Sequence, residues 1–263
     1  MSGSFPVGER IARANLSCPR GRGYGRRMTD DDLLLAARLA DAAGAAIRPF
    51  FRAPLAIEHK ADASPVTRAD RAAEGAMRAI LEAERPGDGI VGEEYGSIRE
   101  GAGRVWVLDP IDGTRSFIAG RPIFGTLIAL LEEGRPLLGV IDQPIAGERW
   151  IGAAGRATTL NAAPARTRPC PALGRAHIGT TGPNYFTDGE LARFTAVAEA
   201  AGDTLWGGDC YNYGLVASGH LDLVVEAGLK LYDFAALVPI VEGAGGRMRG
   251  WAGEPLGASS DGR

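Results

Sequence analysis

Leu33, Leu34, Ala37, Ala40 and the stretch from Ala43 to Ala45 recur at helical spacing, and the spacing predicts an amphipathic helix running from Asp30. Thr29-Asp30-Asp31-Asp32 stands in front of it, with a capping hydroxyl and acidic groups for the first turn. A second helix is predicted over Ala69–Glu84, ending at Arg85-Pro86-Gly87. The apolar pattern then changes. Arg104–Leu108 reads as a buried strand, and Ile123–Leu131, Arg135–Ile141 and Glu148–Gly152 read as a meander. Its turns fall at Glu133-Gly134 and Pro144–Gly147. Beyond Gly155 short strands alternate with helices. Helices are expected over Asp188–Ala201, Asp209–Ser218 and Asp233–Glu242, and a strand over Leu221–Glu226. Gly243-Ala244-Gly245-Gly246 closes the last helix. The order implies a mixed α/β (α+β) fold of two lobes, residues 28–153 and 154–263, with a cleft between them.

Composition narrows the class. The chain has 263 residues, 45% hydrophobic and 23% charged, enough to bury a sizeable core without disulfides. No apolar run approaches the roughly 18 residues of a membrane span. Residues 1–27 carry six arginines and one glutamate, show no sustained periodicity and contain no apolar signal core. They read as an unfolded extension, with Met28 as an alternative start. The net charge of −3 therefore hides a more acidic body, which argues against a nucleic-acid footprint and suits the gathering of divalent cations. Cys18, Cys170 and Cys210 are odd in number and unpaired in spacing, as expected of free thiols in a reducing, cytoplasmic setting. His59, His177 and His220 lie too far apart to form a zinc motif.

Four acidic groups fall at the ends of expected elements. They are Gly92-Glu93-Glu94, Asp109-Pro110-Ile111-Asp112-Gly113-Thr114, Leu231-Tyr232-Asp233 and Pro65-Val66-Thr67-Arg68-Ala69-Asp70. In the second group Pro110 stiffens the turn, so Asp109 and Asp112 can face one point. Gly113 permits a sharp turn and a close approach to a ligand. A helix starting near Thr114 would present the Gly113 and Thr114 amides to an anion. Carboxylates for a cation beside amides for a phosphate are the needs of a metal-dependent phosphatase.

Gly92-Glu93-Glu94, Asp109 to Thr114 and Asp233-Phe234-Ala235-Ala236 resemble, in order and spacing, the motifs of the inositol-monophosphatase superfamily, from about Met28 to Gly246. The resemblance implies a layered αβαβα fold and Mg²⁺-dependent phosphomonoester hydrolysis, with two to three ions per site. It implies that Glu93, Asp109, the Ile111 carbonyl and Thr114 hold one ion, Asp109, Asp112 and Asp233 a second, and Asp70 a third. Catalysis would then rest on Glu93, Asp112 and Thr114. Gly113 and Thr114 would bind phosphate through their amides, with Lys60 near the third ion. A homodimer is implied too. So is a further strand and helix after a stretch like Ser260-Asp261-Gly262, which this sequence does not contain.

The second half resembles the histidinol-phosphate phosphatases of the superfamily at Gly179–Pro183, Trp206–Tyr211 and His220–Lys230. Glu226 stands where the superfamily places a substrate-contacting carboxylate, and Asp209 adds a second acid. Two carboxylates suit the ammonium and imidazole of L-histidinol phosphate. Asp209 equally suits the cap of the helix behind it. The alternative substrates are inositol 1-phosphate and a broad range of sugar phosphates. The expected partner is a small phosphate ester, with neither nucleic acid nor membrane. Trp106, Trp150 and Cys210 read as core.

Overall fold

The computed structural model describes residues 28–54, 57–59 and 65–263. The extension over 1–27 and Lys60 lie outside the described residues.

Helix α1 (Asp30–Ile47) opens on a reciprocal capping box, in which Asp32 N–H donates to the Thr29 hydroxyl and the Asp32 carboxylate accepts from Thr29 N–H at 2.9 Å. Its buried face runs through Leu33, Leu35, Ala36, Leu39, Ala40, Ala43 and Ile47. Leu34 and Ala45, expected on that face, point to solvent. Leu33, Leu34 and Leu35 stand in a row, and at about 100° per residue Leu34 and Ala45 point outside the arc that the buried positions share. After an antiparallel pair of short strands, β1 (Ile57–His59) and β2 (Pro65–Thr67), comes α2 (Arg68–Glu84). It too has a capping box, formed by Thr67 and Asp70.

The main sheet is built from β3 (Gly89–Gly92), β4 (Gly96–Ile98), β5 (Arg104–Asp112), β6 (Gly125–Glu132), β7 (Arg135–Gln143), β8 (Glu148–Ala153), β9 (Thr159–Leu160) and β10 (Ala163–Pro164). Their spatial order is β10-β9-β8-β7-β6-β5-β3-β4, antiparallel except for the β3–β5 pair. The central strands are buried on both faces. Trp106, Leu108, Ile128 and Leu130 join the core under α1 and α2, while Val107, Leu127, Ala129 and Leu131 join the core on the other side. Two-sided burial is why these strands read as continuous apolar runs instead of alternating ones.

The short helix α3 (Thr114–Ile118) follows β5. The second half contributes β11 (His177–Thr180), α4 (Asp188–Ala200), β12 (Asp203–Trp206), α5 (Asp209–Ala217), β13 (Leu223–Val224), α6 (Leu231–Phe234) and α7 (Leu237–Gly243). Strands β12-β11-β13 form a parallel sheet. Helix α5 contacts strands of both sheets and α7 lies on β7 and β8, which gives the layered sandwich. Two expected elements are cut down. The strand over Leu221–Glu226 pairs only at Leu223–Val224. The helix over Asp233–Glu242 is broken into α6 and α7, because Pro239 has no N–H for the Ala235 carbonyl and its ring crowds that group.

The broken segment rests backbone on backbone against the sheet. A Cβ on Gly139 would sit 1.9 Å from the Ala236 carbonyl oxygen, and one on Gly152 would sit 2.4 Å from the Pro239 oxygen. Gly139→Ala is therefore expected to lift α7 off β7 and cost about 3 kcal/mol, read as a large drop in Tm. An unchanged Tm would contradict this contact.

Candidate active site

Strand β5 runs through the acidic turn, where the sequence placed the turn after the strand. Asp109 pairs with Leu127 and Asp112 with Gly125, so three steps on β5 match two on β6 and the strand bulges. Pro110 sits in the bulge, where no ladder N–H is required. Its carbonyl accepts from the buried Thr126 hydroxyl at 2.8 Å, and Ile111 N–H donates to Asp109 Oδ1 at 3.0 Å. The chain then turns through Gly113 at φ +87°, the N-cap of α3. Gly113 and Thr114 thus stand at a helix start, where amides lack intrahelical acceptors.

Asp109, Asp112 and Asp233 each bring an oxygen to within 4.8 Å of the others. Asp233 comes from α6, its carboxylate accepting from Lys230 N–H at 2.6 Å, and Asp112 accepts from Cys210 N–H at 2.5 Å. Burial pushes the Asp109 and Asp112 carboxyls well above the usual range. Repulsion from Glu93, Asp112 and Asp233 adds to it at Asp109, and from Asp209 and Asp233 at Asp112. Side-chain contact with Glu93 draws the Gly92-Glu93-Glu94 group into the same cluster. An all-oxygen set of converging acids, one buried and two half-buried, fits hard divalent cations, whose charge would offset the repulsion.

A buried pair holds the Glu93 loop. The Glu74 carboxylate on α2 accepts from Glu94 N–H at 2.7 Å and Tyr95 N–H at 3.2 Å, and Arg78 Nε donates to it at 2.7 Å. Arg78 also donates to the Gly96 carbonyl. A Cβ on Gly92 would lie 2.0 Å from Glu74 Oε1, so the loop closes over Glu74 only with glycine there. Glu74 was not singled out from the sequence, and its signal is its place one turn after Asp70.

Asp70 is fully buried. Its Oδ2 accepts from Thr67 N–H at 2.8 Å and from the Thr67 hydroxyl at 2.6 Å. Its Oδ1 lies 3.4 Å from the Thr114 hydroxyl, which is 3.1 Å from the Ile111 carbonyl. Burial raises the Asp70 carboxyl, against the lowering effect of the Thr67 bonds.

The two expected substrate acids also lie near the cluster. Glu226 accepts from Thr181 N–H at 2.7 Å and the Thr181 hydroxyl at 2.9 Å. Asp209 does not cap its helix. The N-cap of α5 is Gly208, with no side-chain bond, and Asp209 instead accepts from the Ser116 hydroxyl at 3.0 Å. Its carboxylate packs on Gly113, where a Cβ would lie 2.8 Å from Asp209 Oδ2. The capping reading fails because Asp209 stands one residue past the cap position, with φ +45°, and its carboxylate reaches to Ser116. Burial raises the Asp209 carboxyl, while Ser116, Arg121 and Arg115 lower it. Among the described residues no helix is long and apolar enough to cross a membrane.

A sequence model of the inositol monophosphatase family matches residues 30–262. A curated relative, the chloroplastic bifunctional phosphatase IMPL2 of Arabidopsis thaliana, is 53% identical over 82% of this chain and 63% of its own length. The chain thus spans a little less than two thirds of that relative. A histidinol-phosphatase of Mycobacterium tuberculosis is 40% identical over 84% of this chain and 88% of its own. The solved structure of an inositol monophosphatase from Zymomonas mobilis overlays with a TM-score of 0.83 at 60% identity, covering 90% of this chain and 92% of that one.

The acid cluster makes a stability prediction. Asp112→Asn removes one buried charge while its amide oxygen can still accept from Cys210 N–H. With chelator present, the variant is expected to melt a few degrees above wild type, roughly 1 kcal/mol or more. A lower Tm would mean that the carboxylates do not repel one another in the folded protein.

Proposed function

The chain belongs to the inositol monophosphatase family, and from that premise we propose that it is an Mg²⁺-dependent phosphatase hydrolysing L-histidinol phosphate to L-histidinol and phosphate. The observation that carries the substrate reading is the pair of carboxylates, Asp209 and Glu226, close enough for Asp209 to raise the Glu226 carboxyl. Inositol offers only hydroxyls to such a pair, whereas histidinol offers an ammonium and an imidazole. The histidinol-phosphatase relative supports the same reading.

In this reading Glu93, Asp109, the Ile111 carbonyl, Asp112 and Asp233 hold Mg²⁺, and Asp70 a further ion, for two to three in all. When bound, Mg²⁺ would supply Lewis-acid stabilisation of the phosphoryl oxygens and would lower the pKa of a water beside it. The Gly113 and Thr114 amides hold the phosphate oxygens. The Thr114 hydroxyl, between the Ile111 carbonyl and Asp70 Oδ1, has one proton for two acceptors and can orient the attacking water. Glu93 accepts that water's proton. Asp209 and Glu226 hold the amine and so fix the ester in line. No side-chain nucleophile is required, since phosphoryl transfer is mainly positioning and electrostatics. A second reading, inositol 1-phosphate or a broader set of sugar phosphates, is favoured by the Zymomonas mobilis structure.

Phosphate release with Mg²⁺ from L-histidinol phosphate, inositol 1-phosphate and fructose 1,6-bisphosphate separates these readings. A preference of orders of magnitude for the first is expected. Asp112→Asn should fall below about 1% of wild type, since disturbing even outer partners of a metal site costs ten- to hundredfold. Equal rates on inositol 1-phosphate would overturn the substrate reading.

The pH profile tests Glu226 itself. Burial pushes its carboxyl up to about 7, with Asp209 adding to the rise and Thr181 opposing it. Below that pH it is protonated and no longer attracts an ammonium. KM for L-histidinol phosphate should therefore rise as pH falls through about 7, and Glu226→Gln should remove that step. The same step in the variant would assign the titration elsewhere.

A further inference from the structure

Gly207, Gly208 and Asp209 are consecutive residues with φ of +85°, +124° and +45°. Glycine takes such angles freely, but a residue with a side chain is strained there and needs support from its surroundings. The structure supplies support from two sides. From behind, Asn212 Nδ2 donates to the Gly207 carbonyl at 3.0 Å. The buried Asn212 side chain fills the space under Gly208, where a Cβ would meet its Oδ1 at 2.2 Å. The same side chain abuts Gly179 of β11, so it wedges the turn against that strand. From the front, the Ser116 hydroxyl on α3 donates to Asp209 Oδ2, and among the described residues it is the hydrogen-bond donor to this carboxylate. Ser116 is itself buried.

The consequence is directional. An acid at a helix start ordinarily serves the free amides of that helix. Here it is carried across to α3 and set over Gly113, beside the amides to which the phosphate is assigned. The adjoining Cys210 N–H ties the same turn to Asp112. Asp209 is thereby fixed relative to both the acid cluster and the phosphate turn, while Glu226 is fixed separately by Thr181. Arg115 and Arg121 lower the Asp209 carboxyl and limit the repulsion that a nearby phosphate would exert on it.

We propose that Ser116 is a positioning residue for substrate selection: its hydroxyl holds the strained Asp209 over Gly113, so that the enzyme favours phosphate esters carrying an ammonium group near the phosphate. This rests on the reading of Asp209 as a substrate-binding acid. Ser116 touches neither substrate nor reacting atoms in this account and acts only through Asp209.

The test is a double-mutant cycle on the Mg²⁺-loaded enzyme, with kcat and KM measured separately for L-histidinol phosphate and inositol 1-phosphate. Ser116→Ala is expected to raise KM for L-histidinol phosphate about tenfold, the value of one hydrogen bond to a charged group, with kcat within about twofold. Its KM for inositol 1-phosphate should not move. Asp209→Gly takes the same backbone angles without strain, so it should melt no lower than wild type and still lose the preference. In the Asp209→Gly background, Ser116→Ala should have no further effect. Additive losses, or an equal loss on both substrates, would overturn the proposal and leave Ser116 a packing residue. A wild type without preference for the amine-bearing ester would overturn the substrate reading as well, and that arm is read before any variant.

Discussion

Three carboxylates packed within 4.8 Å of one another, Asp109 buried and Asp112 and Asp233 half-buried, repel strongly, and much of the surrounding structure answers that repulsion. The response is the same in each element. Asp109 accepts from Ile111 N–H, Asp112 from Cys210 N–H, Asp233 from Lys230 N–H and Asp70 from Thr67 N–H. Each bond stabilises the charged form and anchors the carboxylate to backbone. The acids come from β5, α6 and α2, so their convergence depends on how the layers pack and not on any single loop. A backbone donor cannot rotate away as a side-chain donor can. The carboxylates therefore hold a fixed geometry, as a site preorganised for cations requires.

The Glu93 loop shows the same logic one step removed. Glu93 sits in a stretch that the sheet alone would leave loose, between the short strands β3 and β4. Glu74 gathers two successive amides of that loop, and the charge this buries is balanced by Arg78. Removing either partner of such a pair leaves an unpaired charge inside the protein, which is far costlier than the pair itself is stabilising. The fit also depends on Gly92, since any side chain there would occupy the space of the Glu74 carboxylate.

The layers and the acid cluster were legible in the sequence because each depends on local spacing. Periodicity found α1, α2 and the meander, and Asp109 to Thr114 announced itself by proline, glycine and acids at fixed offsets. What escaped depends on tertiary context. Two-sided burial hides strand alternation, so the run of β5 into the acidic turn was invisible. The break between α6 and α7 was marked by Pro239, but the surrounding apolar pattern masked it. Ser116 and Asn212 carry no local signal, because their partners lie 93 residues away in one case and in a left-handed turn in the other. Asp209 was readable as an acid in an interesting place, yet a cap and a ligand have the same letter. The structure removes the cap, since Gly208 holds that position and the Asp209 carboxylate reaches to Ser116.

That distinction bears on how reaction and selection are divided in this fold. The bulge in β5, the α3 start and the acid cluster supply what any phosphate monoester needs, and most of these groups are tied to the large sheet. The acids proposed to meet the remainder of the substrate come from the second half, one at the first residue of α5 and one just after β13. The two sets meet at few points: Cys210 N–H on Asp112, and Asp209 on Gly113 and Ser116. Asp209 opens α5 beside the cluster, and its carboxylate is held by the Ser116 hydroxyl and not by one of the backbone donors that serve the cluster. The cost is local strain at one non-glycine residue, of order 1–3 kcal/mol. A globular domain is stable by about 5–15 kcal/mol, so such strain is bearable only where several contacts hold it. Asn212 behind the turn and Ser116 before it are those contacts.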